Sequence, residues 1–107
     1  MKRLRISSDI RQIVEQVVRL VNPLRIMLFG SVAAGRIGPD SDLDFLVVVS
    51  EKQQPDMVLD RLNTGVRRGA MPCDFMVVTP RTLRQHRNNP GLVYGEILKR
   101  GRIIYAA

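Results

Sequence analysis

Apolar residues along this chain switch between helical and strand spacing. Ile10, Ile13, Val14, Val17, Val18 and Val21 recur every three or four residues, so they line one face of a helix. Asp9 stands where it would cap the start, with Gln12 three residues on, and Asn22-Pro23 supplies a stop. Leu24–Phe29 is a short β-favouring run that ends at Gly30-Ser31 and predicts a buried strand. The small residues of Ser31–Arg36 suit one or two helical turns, and Ile37-Gly38-Pro39-Asp40-Ser41 reads as a loop. A second strand is predicted over Leu43–Val49. Pro55 then starts a helix with apolar positions Val58, Leu59, Leu62 and Val66, closed by Arg67-Arg68-Gly69. Cys73–Val78 is the third strand. Thr79-Pro80 caps and opens a short basic helix to about Arg87, which Asn88-Asn89-Pro90-Gly91 breaks. Leu92–Arg100 reads as a last helix with Gly101 as its C-cap, and Arg102–Tyr105 as a final short strand. Strands alternating with helices predict a layered α/β (α+β) domain, and no repeat, low-complexity tract or linker divides residues 1–107.

The chain has 107 residues, enough for one modest core, because a chain of this size buries roughly 60–70% of its unfolded surface. Its one cysteine, Cys73, excludes an internal disulfide framework and a multi-cysteine zinc site, so packing carries the stability and a reducing cytoplasm fits. The longest apolar runs, Phe45–Val49 and Ile103–Ala107, are five residues, whereas a membrane helix needs about 20. Met1-Lys2-Arg3-Leu4-Arg5 is basic but has no apolar stretch behind it, which argues against a cleaved signal peptide and for the chain as it stands being the working protein.

The net charge of +7 is unevenly placed: residues 1–36 sum to +5, residues 37–60 to −5 and residues 61–107 to +7. A basic chain by itself suggests a polyanion partner. Acids gathered between two basic flanks read by themselves as ordinary surface variation, and, if a motif accompanies them, as a site that uses carboxylates for metal and cations for phosphate.

The candidate chemistry sits in that acidic segment and its borders. Gly30-Ser31 is followed, ten residues later, by Asp42-Leu43-Asp44, and Asp74 enters the next strand. Side chains two apart in a strand share a face at about 6.5–7 Å, so Asp42 and Asp44 can converge on one point. Two divalent ions about 3.5–4 Å apart fit between such carboxylates and clamp a phosphoryl group from both sides. Asp74 enters Cys73–Val78 as Asp44 enters Leu43–Val49, so parallel neighbouring strands would bring the two together. Gly30 lets backbone approach a phosphate, and Ser31 offers a hydroxyl beside the N–H groups of a helical turn. A plain strand-to-helix turn would also explain Gly30-Ser31 taken alone.

A calcium loop is the competing metal assignment, since Asp40, Asp42, Asp44 and Glu51 fall at its positions 1, 3, 5 and 12. Position 6, which needs the sharp-turn glycine, is Phe45, and Leu46–Val49 fills the middle with strand formers. The pattern therefore fails. A solvated turn explains Asp40 well but Asp44 badly, because a charge inside an apolar strand is costly unless it is paired or metal-bound.

With these pieces assembled, the sequence resembles the minimal nucleotidyltransferases of the DNA polymerase beta superfamily. The resemblance runs through the leading helix, Phe29-Gly30-Ser31-Val32-Ala33-Ala34-Gly35, Asp40-Ser41-Asp42-Leu43-Asp44, Asp74–Pro80 and the closing Gly91–Tyr105. It implies a nucleotidyltransferase palm: a small mixed β-sheet of three to four strands with helices packed mainly on one face. It also implies magnesium-dependent transfer of AMP from ATP to an acceptor hydroxyl, with pyrophosphate leaving. Asp42 and Asp44 would ligate both magnesium ions, Asp74 would complete one metal site and help activate the acceptor oxygen, and Gly30 and Ser31 would bind the outgoing phosphates. Ala34 stands where many relatives carry arginine, and Arg36 is the candidate to replace that nucleotide contact.

A chain this short has no room for the added domain with which larger relatives grip an acceptor, so a partner protein is expected to supply it. The resemblance implies a HEPN-domain toxin, with the chain as its antitoxin adenylylating a toxin tyrosine. Two other readings compete. One is a binding module that silences its partner by occlusion. The other is nucleotidyl transfer to RNA, suggested by Arg81, Arg84, Arg87, Lys99, Arg100 and Arg102, but with 5% aromatic residues the chain offers few stacking platforms. Of the remaining chemistry-bearing residues, His86 reads as a surface or capping residue and Cys73 as a small core residue facing away from Asp74. Tyr94 and Tyr105 read as packing residues, as do Met27 and Met76 within strands.

Overall fold

A computed structural model describes residues 8–29, 43–67, 73–86 and 101–107, with the side chain of His86 left aside. In chain order the elements are helix α1 (Ser8–Val21), strands β1 (Arg25–Phe29) and β2 (Leu43–Val48), helix α2 (Pro55–Gly65), strand β3 (Cys73–Val78), helix α3 (Pro80–His86) and strand β4 (Arg102–Ala106). The predicted helix over Leu92–Arg100, Tyr94 with it, and the predicted turns after Ser31 lie outside the described residues.

Helix α1 buries Ile10, Ile13, Val17 and Val21, the stripe that its spacing predicts. Asp9 is not its cap. It lies within the first turn, where a carboxylate still favours the positive end of the helix. At the other end Asn22 takes φ 46°, the left-handed conformation that asparagine tolerates, while its N–H reaches Val18 O at 3.0 Å. Pro23 then prevents continuation. Helix α2 starts at Pro55 as expected but stops at Gly65, four residues before the glycine read as its end. Val66 explains the early stop: its N–H makes the last helical bond, to Leu62 O, and its backbone turns extended to carry its side chain into the core.

The four strands form one mixed sheet in the order β3-β2-β1-β4. β1 pairs antiparallel with both β2 and β4, whereas β2 and β3 are parallel. The predicted outer residues still join the ladders: Leu24 N–H donates to Val48 O, and Val49 N–H donates to Val78 O. Parallel pairing requires a crossover, and α2 makes it.

Alternation divides the sheet's two faces. Leu43, Phe45 and Val47 of β2 and Val49 just after it, with Ile26, Leu28, Cys73 and Phe75, pack under α1 and α2 in the larger core. Cys73 is thus a core residue, as its position beside Asp74 implies. Met27, Leu46, Val48 and Val78 face the other way and are covered by Leu83 of α3, with Phe29 and Met76 partly buried against them. Among the described residues most helical cover therefore lies on one face, as expected.

Candidate functional site

The register of the sheet brings two of the sequence-predicted carboxylates side by side. In the parallel β2–β3 ladder Asp44 is the direct partner of Asp74, and in the antiparallel β1–β2 ladder Asp44 is also the partner of Phe29. Because β1 runs against β2, the last residue of β1 lies at the end of the sheet where β2 and β3 begin. The chain continues from Phe29 into Gly30-Ser31, so the glycine-serine pair follows directly from the strand end beside Asp44.

What holds this register is on the opposite face. Phe45 and Phe75, each one residue beyond an aspartate, stack across the same two strands with ring centroids 5.6 Å apart and planes 27° apart. Aromatic contact of this kind adds about 0.5–1.5 kcal/mol beyond burial. A slip of one residue would put phenylalanine on the aspartates' face and a carboxylate under the helices, so core packing enforces the alignment of the acids. Asp44 is half-buried and Asp74 exposed, while Leu43, Phe45 and Cys73 around them are buried. The acids sit on the face that, among the described helices, carries α3, at the end away from the strand termini that precede α2 and α3.

Neighbouring strands lie about 4.8 Å apart, so paired residues with side chains on one face can reach a common ion. Carboxylate oxygens are the donors magnesium takes, and the Asp44–Asp74 pair fits such a cation in type and placement. Among the described residues no group of three or more His, Cys, Asp or Glu is assembled to hold a metal. Asp42, the third predicted ligand, lies outside the described residues, as do Gly30, Ser31 and Arg36.

Glu51 is decisive against the calcium-loop spacing. Its Oε1 accepts the backbone N–H of Arg81 at 2.8 Å, which places this carboxylate on the first turn of α3. That helix has no acid of its own in the first turn, and Thr79 supplies the other cap, with its Oγ1 3.4 Å from Thr82 N. The missing first-turn acid is the sequence signal for a carboxylate brought from elsewhere.

The model of the nucleotidyltransferase domain family matches residues 10–104. The chain belongs to that family. Its general chemistry is nucleotidyl transfer from a nucleoside triphosphate, with a divalent metal generally required. Among solved structures, the crystal structure of a candidate nucleotidyltransferase from Sulfolobus solfataricus is similar with a TM-score of 0.60 and 21% identity, covering 99% of this chain and 90% of that one. At that identity the likeness concerns the fold alone. No curated protein matches the chain. No described helix of this nucleotidyltransferase is long and apolar enough to cross a membrane.

Proposed function

We propose that this nucleotidyltransferase moves AMP from magnesium-bound ATP to a hydroxyl of a protein acceptor, working as a single minimal domain in the cytoplasm. The observation that carries the site assignment is the direct pairing of Asp44 with Asp74 beside the strand that leads into Gly30-Ser31. Asp42, with Asp44 and Asp74, would hold the metal. When bound, magnesium neutralises charge on the triphosphate and polarises the α-phosphate.

The chain's own groups do the rest. Gly30 and Ser31 hold the β- and γ-phosphates, and Arg36 adds a cation to the nucleotide. Asp74 orients the acceptor hydroxyl and takes up its proton. The acceptor oxygen forms a bond to the α-phosphorus, the bond to the bridging oxygen of the β-phosphate breaks, and pyrophosphate leaves. Rate enhancement comes from positioning and charge stabilisation, the two terms that dominate where no covalent intermediate is needed.

The acceptor we favour is a tyrosine of a HEPN-domain toxin, which makes the chain the antitoxin of the pair. This rests on the sequence resemblance. The test is incubation of the purified chain with its HEPN partner, ATP and magnesium, followed by intact-mass analysis. An AMP adduct on the partner that disappears with Asp42→Ala is the expected result. No adduct, with the partner nevertheless neutralised by Asp42→Ala/Asp44→Ala at equal expression, would replace catalysis by occlusion. Label transferred to RNA instead would move the acceptor to nucleic acid.

A further inference from the structure

Between α2 and β3 the chain is gripped by a side chain of α1. Gln16 Nε2 donates to Arg67 O at 2.8 Å, and Arg67 N–H donates to Gln16 Oε1 at 2.7 Å, so one amide closes both backbone groups of one residue. A further bond from Nε2 to Gln12 O at 3.3 Å ties the same amide to its own helix.

Arg67 lies where a direction is chosen. Helix α2 has ended, Val66 has turned inward, and the chain must cross to β3, whose second residue is Asp74. The two helices are joined where Gln53 Nε2, just before α2, donates to Val21 O at 3.0 Å, and again at the Gln16 clasp just after it. Along the seam Arg61 Nη1 reaches Leu20 O at 3.4 Å, and a Cβ on Gly65 would stand 3.1 Å from Leu20 Cδ1, so α2 approaches α1 closely in its last turns. The seam thus leads into the clasp, which holds the chain six residues before β3 begins.

We propose that Gln16 is a positioning residue: by fixing the exit of the chain at Arg67 it limits where β3 can begin, and so supports the placement of Asp74 opposite Asp44 that the Phe45–Phe75 packing enforces. This rests on the assignment of Asp74 as a metal ligand. The clasp lies in an open groove lined by Gln12, Glu15, Gln16, Arg19 and Arg67, so water can replace the amide when it is removed. Its loss is therefore cheap in stability, which separates a positioning role from a purely structural one.

The experiment compares Gln16→Met, which keeps the length and removes both bonds, with Gln16→Glu, which keeps only the acceptor for Arg67 N–H. Gln12→Met serves as the control on the same helix face. Manganese binding in the presence of a non-hydrolysable ATP analogue is read by electron paramagnetic resonance, and backbone hydrogen exchange is read over Cys73–Val78. Gln16→Met should weaken manganese binding about 3- to 10-fold, less than the 10–100-fold typical when a ligand's own hydrogen-bond partner is lost. It should also speed exchange at the start of β3, with the melting temperature held within a few degrees. Gln16→Glu should fall between wild type and Gln16→Met, and Gln12→Met should match wild type. Unchanged manganese binding in Gln16→Met, alongside weakened binding in Asp74→Asn, would overturn the positioning role. Unchanged binding in Asp74→Asn itself would overturn the assignment of Asp74.

Discussion

The two faces of the sheet are made from the same strands but solve different problems. Under α1 and α2, residues such as Phe45, Val47, Ile13, Val17 and Leu62 fill a continuous core. The other face has a smaller cluster of Met27, Leu46, Val48 and Val78 under Leu83, and its remaining positions at the start of β2 and β3 are Asp44 and Asp74. The difference teaches that the first face supplies the precision from which the second benefits. Phe45 and Phe75 fix a register whose functional consequence appears on the far side of the same two strands.

The largest expected effect tests that division directly. Asp44→Asn should reduce nucleotidyl transfer by about 10³-fold, the scale on which removal of one preorganised electrostatic group acts. Its chemical unfolding midpoint should stay close to wild type, and a large loss of stability would mean that Asp44 belongs to the core rather than to the site. Phe45→Ala is the converse. It should cost about 3–5 kcal/mol of stability, read by denaturant unfolding, because it removes both a fully buried ring and its stacking partner's contact. Leu83→Ala should cost less, about 2–3 kcal/mol, since it empties the smaller core. If Leu83→Ala proved as damaging as Phe45→Ala, the asymmetry between the faces would be wrong. The smallest effect is expected from Glu51→Gln, which weakens the charge at the start of α3: about 0.3–1 kcal/mol, larger at low salt than at high. Salt-insensitive loss would show that the hydrogen bond to Arg81 N, not the charge, is what α3 requires.

Much of this architecture was legible in the chain. The helical stripe from Ile10 to Val21, the stop at Asn22-Pro23 and the third strand at Cys73–Val78 come directly from periodicity and turn chemistry, because those signals are local. Boundaries shifted where a distant contact intervened, as at Val66, whose burial ends α2 early. Glu51 shows the same limit for chemistry: its spacing from Asp40 suggested a calcium position, while the fold assigns it to a helix it meets across 30 residues. Gln16 had no local signal at all, since a glutamine on an exposed helix face looks the same whether it holds water or a backbone 51 residues away.

The sequence by itself determined the family, the alternating elements and the residue types at the candidate site, since motif spacing and hydrophobic period are properties of the chain. Only the tertiary structure decided that β2 and β3 are parallel and aligned with Asp44 against Asp74, and that Arg67 is held by α1 on the way to β3. Strand order and register depend on which side chains can be buried together, and that is a property of surfaces meeting in space rather than of neighbours along the chain.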